Sequence, residues 1–122
     1  MNQYKNYEVS LCELASKVEN MKDCIIDDTI HLLSKKWALL IMRELYDNKK
    51  MRYNELRISL NGISPKTLTE RLRELENEGL VKREIFAEVP ARVEYSLTEK
   101  GLEMAASLKP IISWAQKWNR DR

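Results

Sequence analysis

The chain has 122 residues, 43% of them apolar and 33% charged, with a formal net charge of +2, which suits one soluble globular domain of modest core spanning residues 1–122. Its longest apolar run, Trp37 to Met42, is far too short to cross a membrane, and the opening MNQYKNYEVS lacks the apolar segment of a secretory signal. Cys12 and Cys24 form neither a metal-binding spacing nor a disulfide framework, so a reducing cytoplasm is the expected compartment and no cofactor is implied.

Leu11, Leu14 and Val18 share one side of a helix predicted over about 8–20. Asp27 or Asp28 is placed to cap a second helix running through Leu33. The segment KKWALLIMRELYDN, residues 35–48, reads as a third helix, apolar over more than half its surface and therefore central. Asn48, Lys49 and Lys50 make a polar turn, 51–53 suits a short strand, and Asn54 caps a short helix through about Leu60, with Leu56 and Leu60 inward.

Residues 61–80, NGISPKTLTERLRELENEGL, carry helix marks at both ends. Ser64 is suited to the N-cap, and Pro65 falls at the first helical position, where its missing N–H costs nothing. Gly79 is suited to the left-handed residue that stops a helix, which predicts a helix over about 65–78. Leu68, Leu72 and Leu75 lie on one face; Lys66, Glu70 and Arg73 lie nearly opposite, with Thr69 beside that line. Between Lys49 and Arg73 seven basic residues stand against Glu55 and Glu70, a window of +5 on a nearly neutral protein. Such a patch is a footprint for phosphate.

After Gly79 the pattern changes to period two. Val81, Arg83 and Ile85 alternate with Lys82, Glu84 and Phe86, then Val93, Tyr95 and Leu97 with Arg92, Glu94 and Ser96. The loop AEVPA joins them, its Pro90 suited to a tip and not to a ladder. Thr98 caps a last helix with Leu102, Leu108, Ile112 and Trp114 as apolar anchors, which Pro110 should kink or restart. Two helices joined by a short Gly-containing turn and followed by a β-hairpin make a winged helix-turn-helix. The expected fold is thus mainly α with a small β-hairpin (α+β). Residues 24–98 form its core, and the extra helices at 1–23 and 99–122 serve dimerisation.

The order and spacing of these residues resemble the HxlR-type family of bacterial and archaeal winged-helix transcription regulators. The likeness runs from about residue 24 to 118. It is carried by Lys36-Trp37, by Arg43-Glu44-Leu45, by Arg52-Tyr53-Asn54-Glu55-Leu56 (relatives usually have Phe where Tyr53 stands) and by Gly62-Ile63-Ser64. Leu68 to Glu76, Gly79-Leu80-Val81, Glu88-Val89-Pro90, Arg92 to Thr98 and Gly101 continue it. The resemblance implies a homodimeric repressor or activator of double-stranded DNA, with the terminal helices building the dimer. Many relatives carry a cysteine just before the first core helix, and in some it senses oxidants or electrophiles. That position is Cys24 here, followed by Ile25 where the family often has Pro, and no second cysteine lies near the C-terminus.

A recognition helix needs one apolar stripe to seat it and a polar face that fits the major groove. Lys66, Thr67, Thr69, Glu70 and Arg73 supply that face, and the free N–H groups from Ser64 to Thr67 favour a phosphate. Arg92, near the wing tip, is suited to a minor groove or adjacent phosphates, or else to pairing with Glu88 or Glu94. Trp37 reads as core, and Trp114 and Trp118, four apart, as one face for core or dimer contact. A helix N-terminus beside Cys24 favours the thiolate, while Asp23, Asp27 and Asp28 oppose it. His31 is the single histidine, with no further metal ligands nearby, and no catalytic set can be assembled. The same surface is open to an alternative, an RNA or protein partner in place of duplex DNA.

Overall fold

The computed structural model of the chain describes residues 25–119, and its contacts divide it into two compact units, Met1–Lys36 and Trp37–Arg122. The helix expected over 8–20, and with it Cys12 and Cys24, lies outside the described residues.

In the first unit, helix α1 runs over Ile25–Leu33. It begins before the aspartates, so Asp27 and Asp28 sit in its first turn and neither is the cap expected of it. Their charge still complements the positive end of the helix dipole. The other end is closed by Ser34, whose N–H donates to Ile30 O at 2.7 Å and whose hydroxyl donates to His31 O at 2.8 Å.

The second unit opens with α2, Ala38–Asn48, three residues later than the sequence pattern predicted. Lys35 and Lys36 lie in a turn and Trp37 takes the N-cap position without capping the helix through its side chain. Ile41, Met42 and Leu45 are fully buried, and α2 touches the elements on every side of it, from the first strand to the wing. Asn48 Nδ2 donates to Glu44 O at 2.9 Å, and Lys49 turns the chain with a left-handed φ of 68°. One residue therefore makes the turn, and strand β1 starts at once as Lys50–Arg52.

Helix α3, Tyr53–Ser59, follows β1 with no linker. Asn54 is inside it and caps nothing; instead Glu55 reaches back and Oε1 accepts from the Arg52 N–H at 2.8 Å. Leu56 and Leu60 point inward as expected. Gly62, at φ 98°, makes the turn into α4, Pro65–Asn77, whose Leu68, Leu72 and Leu75 are all buried. Glu78 ends the helix and Gly79, at φ 75°, redirects the chain.

Strands β2, Val81–Phe86, and β3, Arg92–Leu97, form the predicted hairpin, with Val81 opposite Leu97 and Phe86 opposite Arg92. The short strand β1 pairs antiparallel on the other edge of β3, Met51 opposite Tyr95, giving a three-stranded sheet ordered β1-β3-β2. Burial does not follow the alternation down the whole hairpin. Val81, Ser96 and Leu97 are buried at its base, whereas Ile85 near the tip is exposed, because the tip runs out beyond the core.

Thr98 caps α5, Glu99–Ser107: its Oγ1 accepts from the Gly101 N–H at 3.1 Å and donates to Gly79 O. Gly101 meets the backbone of Leu80 so closely that a Cβ there would stand 2.1 Å from the Leu80 carbonyl oxygen. The helix ends at Ser107 and restarts beside Pro110 as α6, Lys109–Trp118. The Lys109 ammonium lies 5.5 Å from the Tyr46 ring centre, tying the start of α6 to α2. Leu108 is half-buried, but Leu102, Ile112 and Trp114 are exposed and not buried as anchors among the described residues. Their apolar spacing is that of a buried face; its cover is not supplied by this unit.

Candidate nucleic-acid interface

Helix α4 presents two faces built by one spacing. Its leucine stripe is sunk in the core, and Lys66, Glu70 and Arg73 stand fully out on the opposite side. Among the described residues none of these three charges has an ion-pair partner, whereas Arg71, on the flank, is engaged with Glu74 at 2.9 Å. The open face is thus two cations and one carboxylate within two turns, with donors for guanine or phosphate and an acceptor for a base amino group.

The hydroxyls beside this face are committed differently. Ser64 Oγ accepts from the Thr67 N–H at 3.1 Å and gives its proton to Thr67 Oγ1 at 2.9 Å. Ser64 is therefore occupied as the cap, while Thr67, half-buried, keeps its own proton for an outside acceptor. Thr69 Oγ1 lies 3.2 Å from Tyr53 Oη, and Tyr53 Oη donates to Pro65 O at 3.0 Å. Tyr53 was missed as a site residue in the sequence. The sequence pattern placed it at the end of a short strand, and only the fold brings its hydroxyl to the start of α4.

Arg92 sits where β3 leaves the wing loop. Its guanidinium is held by Glu88, Nη1 to Oε1 at 3.1 Å, with Glu94 Oε1 3.8 Å from Nε. The second distance is an ion pair and not a hydrogen bond. The same guanidinium lies 4.2 Å from the centre of the Phe86 ring, its register partner. The two acidic partners weighed in the sequence are both present, so Arg92 is an ion-paired side chain and not an open cation like Lys66 and Arg73.

Behind the face, Tyr95 is half-buried in the sheet opposite Met51 and Arg83. Burial raises its phenol above the ordinary value of 10.0; Arg83 opposes this and Glu76 adds to it. Glu76 and Arg83 pair at 3.7 Å, joining α4 to β2. Among the described residues no three His, Cys, Asp or Glu side chains come together as metal ligands. No helix there is long and apolar enough to cross a membrane.

A capped helix with an open, charged face, seated by a short helix and turn and flanked by a hairpin, defines a winged helix-turn-helix protein. The HxlR-like helix-turn-helix family matches residues 32–122, and the chain belongs to it. It is 44% identical over 92 residues, 75% of this chain and 84% of the other, to the HTH-type transcriptional regulator YvaP of Bacillus subtilis. A solved structure of a MarR-family transcriptional regulator from Enterococcus faecalis V583 matches with a TM-score of 0.75 and 37% identity, over 86% of this chain and 96% of that one. The reduced form of the transcriptional regulator YodB from B. subtilis matches at 0.71 and 36%, over 80% and 95%. The diamide-treated and quinone-bound forms of YodB match at 0.67 and 0.66, each with 33% identity, over 80% and 76% of this chain and 97% of theirs.

Proposed function

We propose that the protein is a homodimeric, sequence-specific regulator of transcription that works in the cytoplasm by reading double-stranded DNA with α4. The observation that carries this is the open face of α4, where Lys66, Glu70 and Arg73 stand without ion-pair partners among the described residues, opposite a buried leucine stripe. Lys66 and Arg73 donate to guanine or phosphate, Glu70 accepts from cytosine, and Thr69 lies at the edge of the same face. Thr67 and the first-turn N–H groups after Ser64 meet a phosphate. Arg92 supports the wing and reaches the backbone by exchanging Glu88 for a phosphate oxygen.

The dimer reading rests on α6. Ile111, Ile112, Trp114 and Trp118 are 60%, 52%, 60% and 66% exposed, an apolar face that water would not leave uncovered on a stable monomer. A second copy pairing isologously covers it, as it would the apolar stripe of the helix expected over 8–20. Two α4 helices then fall about one DNA turn apart, ~34 Å, and the operator is an inverted repeat.

Cys24 makes the regulator responsive to oxidants or electrophiles. The support is its position in the sequence and the forms, diamide-treated and quinone-bound, in which the relative YodB has been solved. Cys12 or the same residue of a second copy is the candidate partner thiol.

Selection of bound duplexes from a random pool, with sedimentation of the protein at micromolar concentration, tests the reading. An enriched inverted repeat and a dimer are expected. A monomer, or a pool with no enriched sequence, defeats it. Repeating the binding with diamide or a quinone on wild type, Cys24→Ser and Cys12→Ser tests the thiol: equal responses of wild type and Cys24→Ser rule that residue out.

A further inference from the structure

We infer that Tyr53 is a positioning residue that fixes the hydroxyl of Thr69 as an acceptor, so that α4 demands an amino-bearing base beneath Thr69. This rests on the DNA-reading role proposed for α4. A carbonyl oxygen has no proton, so in the 3.0 Å contact with Pro65 O the donor is Tyr53 Oη. A phenol has one proton, and it is spent there. In the 3.2 Å contact between Tyr53 and Thr69 the donor must then be Thr69 Oγ1. Among the described residues the Thr69 hydroxyl has no other hydrogen-bond partner, and Thr69 is exposed on the flank of the α4 face.

The proton of Thr69 therefore points back into the protein, and a lone pair and the methyl group remain for the groove. A lone pair accepts from the N4 amino group of cytosine or the N6 amino group of adenine. It is repelled by the O6 and N7 of guanine and the O4 of thymine, which need a donor. Thr67, one turn-edge away, has the opposite assignment: it accepts from Ser64 and keeps its proton outward. Neighbouring threonines thus offer opposite halves of the same functional group, and the difference is set from α3 by one phenol.

Duplex selection followed by competition binding on wild type, Tyr53→Phe, Thr69→Val, Thr69→Ser and the Tyr53→Phe/Thr69→Val pair tests this. Wild type should select adenine or cytosine at one strand position, and Thr69→Val should lose that choice while Thr69→Ser keeps it. Tyr53→Phe leaves the ring but frees the Thr69 proton, and should lose about 3- to 10-fold of the amino-over-keto preference at that same position, the worth of a single hydrogen bond. In the Thr69→Val background Tyr53→Phe should change nothing further there. If Tyr53→Phe keeps the wild-type preference, or weakens every duplex alike, the positioning role is wrong. Loss of the choice in Thr69→Ser also overturns it. A wild type that selects no duplex at all defeats the DNA reading of α4, and this inference with it.

Discussion

Substituting Gly101 by Ala sets two effects of opposite sign against each other. In a helix interior Ala is better than Gly by about 0.8–1.0 kcal/mol, so propensity alone makes Gly101→Ala stabilising. The structure opposes that. The new Cβ stands 2.1 Å from Leu80 O, 3.0 Å from Leu80 C and 3.2 Å from Leu97 Cδ2. Ordinary C···O approaches are about 3.3–3.6 Å, so α5 and the start of β2 must separate by roughly 1.2 Å. The two nearest contacts are backbone and not a flexible side-chain end; the obstacle is a carbonyl that already accepts from the Thr98 N–H at 3.0 Å. Overpacking costs about 1–3 kcal/mol and loss of that hydrogen bond a further ~0.5–1.5 kcal/mol. After subtraction of the propensity gain, Gly101→Ala should destabilise by about 0.5–3.5 kcal/mol. Urea unfolding followed by circular dichroism, at one fixed protein concentration, reads this as a lower midpoint with an unchanged slope. A variant as stable as wild type, or more so, would refute the argument that the α5–Leu80 approach requires glycine.

Lys66→Ala and Arg73→Ala should each change which bases are preferred, costing about 1–3 kcal/mol where a bidentate contact is lost, as measured by competition binding. Arg92→Ala should weaken binding on all sequences alike, and it leaves Glu88 and Glu94 without their cation beside the DNA backbone. A changed base preference in Arg92→Ala alone would make the wing the reader. For Tyr95 the folded phenol is raised above its unfolded value of about 10 by burial. The folded state then holds its proton longer, so this contribution to stability is complete below about pH 10 and is lost as pH rises through the folded pKa. Unfolding curves between neutral and strongly alkaline pH should show a loss that is smaller in Tyr95→Phe.

The parts of the fold governed by local chemistry were readable. Ser64, Pro65 and Gly79 mark α4 because capping, a fixed φ and a left-handed residue are properties of single residues. Leu68, Leu72 and Leu75 declare its inner face by spacing alone, and Pro110 marks the restart at α6. Caps that depend on competition were misread. Asn54 is a good cap in isolation, but Glu55 bonds the Arg52 N–H and starts α3 earlier. Asp27 and Asp28 likewise suit a cap or a first turn equally well. Long-range pairings carried no local signal: the addition of β1 to β3 and the Tyr53–Thr69 contact join residues whose meeting depends on the whole unit. Leu102, Ile112 and Trp114 were correctly seen as apolar face, yet periodicity cannot say whether the cover comes from the same chain.

The absence of a linker between β1 and α3 bears on how such a protein can change over time. Lys50–Arg52 is hydrogen-bonded to β3, and the next residue, Tyr53, already belongs to α3. An insertion or deletion within 49–53 would shift either the strand register or the α3 helix, since a one-residue slip reverses the faces of a strand. The loop 87–91 is under no such restriction, lying beyond the last rung, Phe86 opposite Arg92. Length variation among descendants of this sequence should therefore collect in the wing tip and spare the β1–α3 junction, so that the wing can drift in length while α4 stays in place.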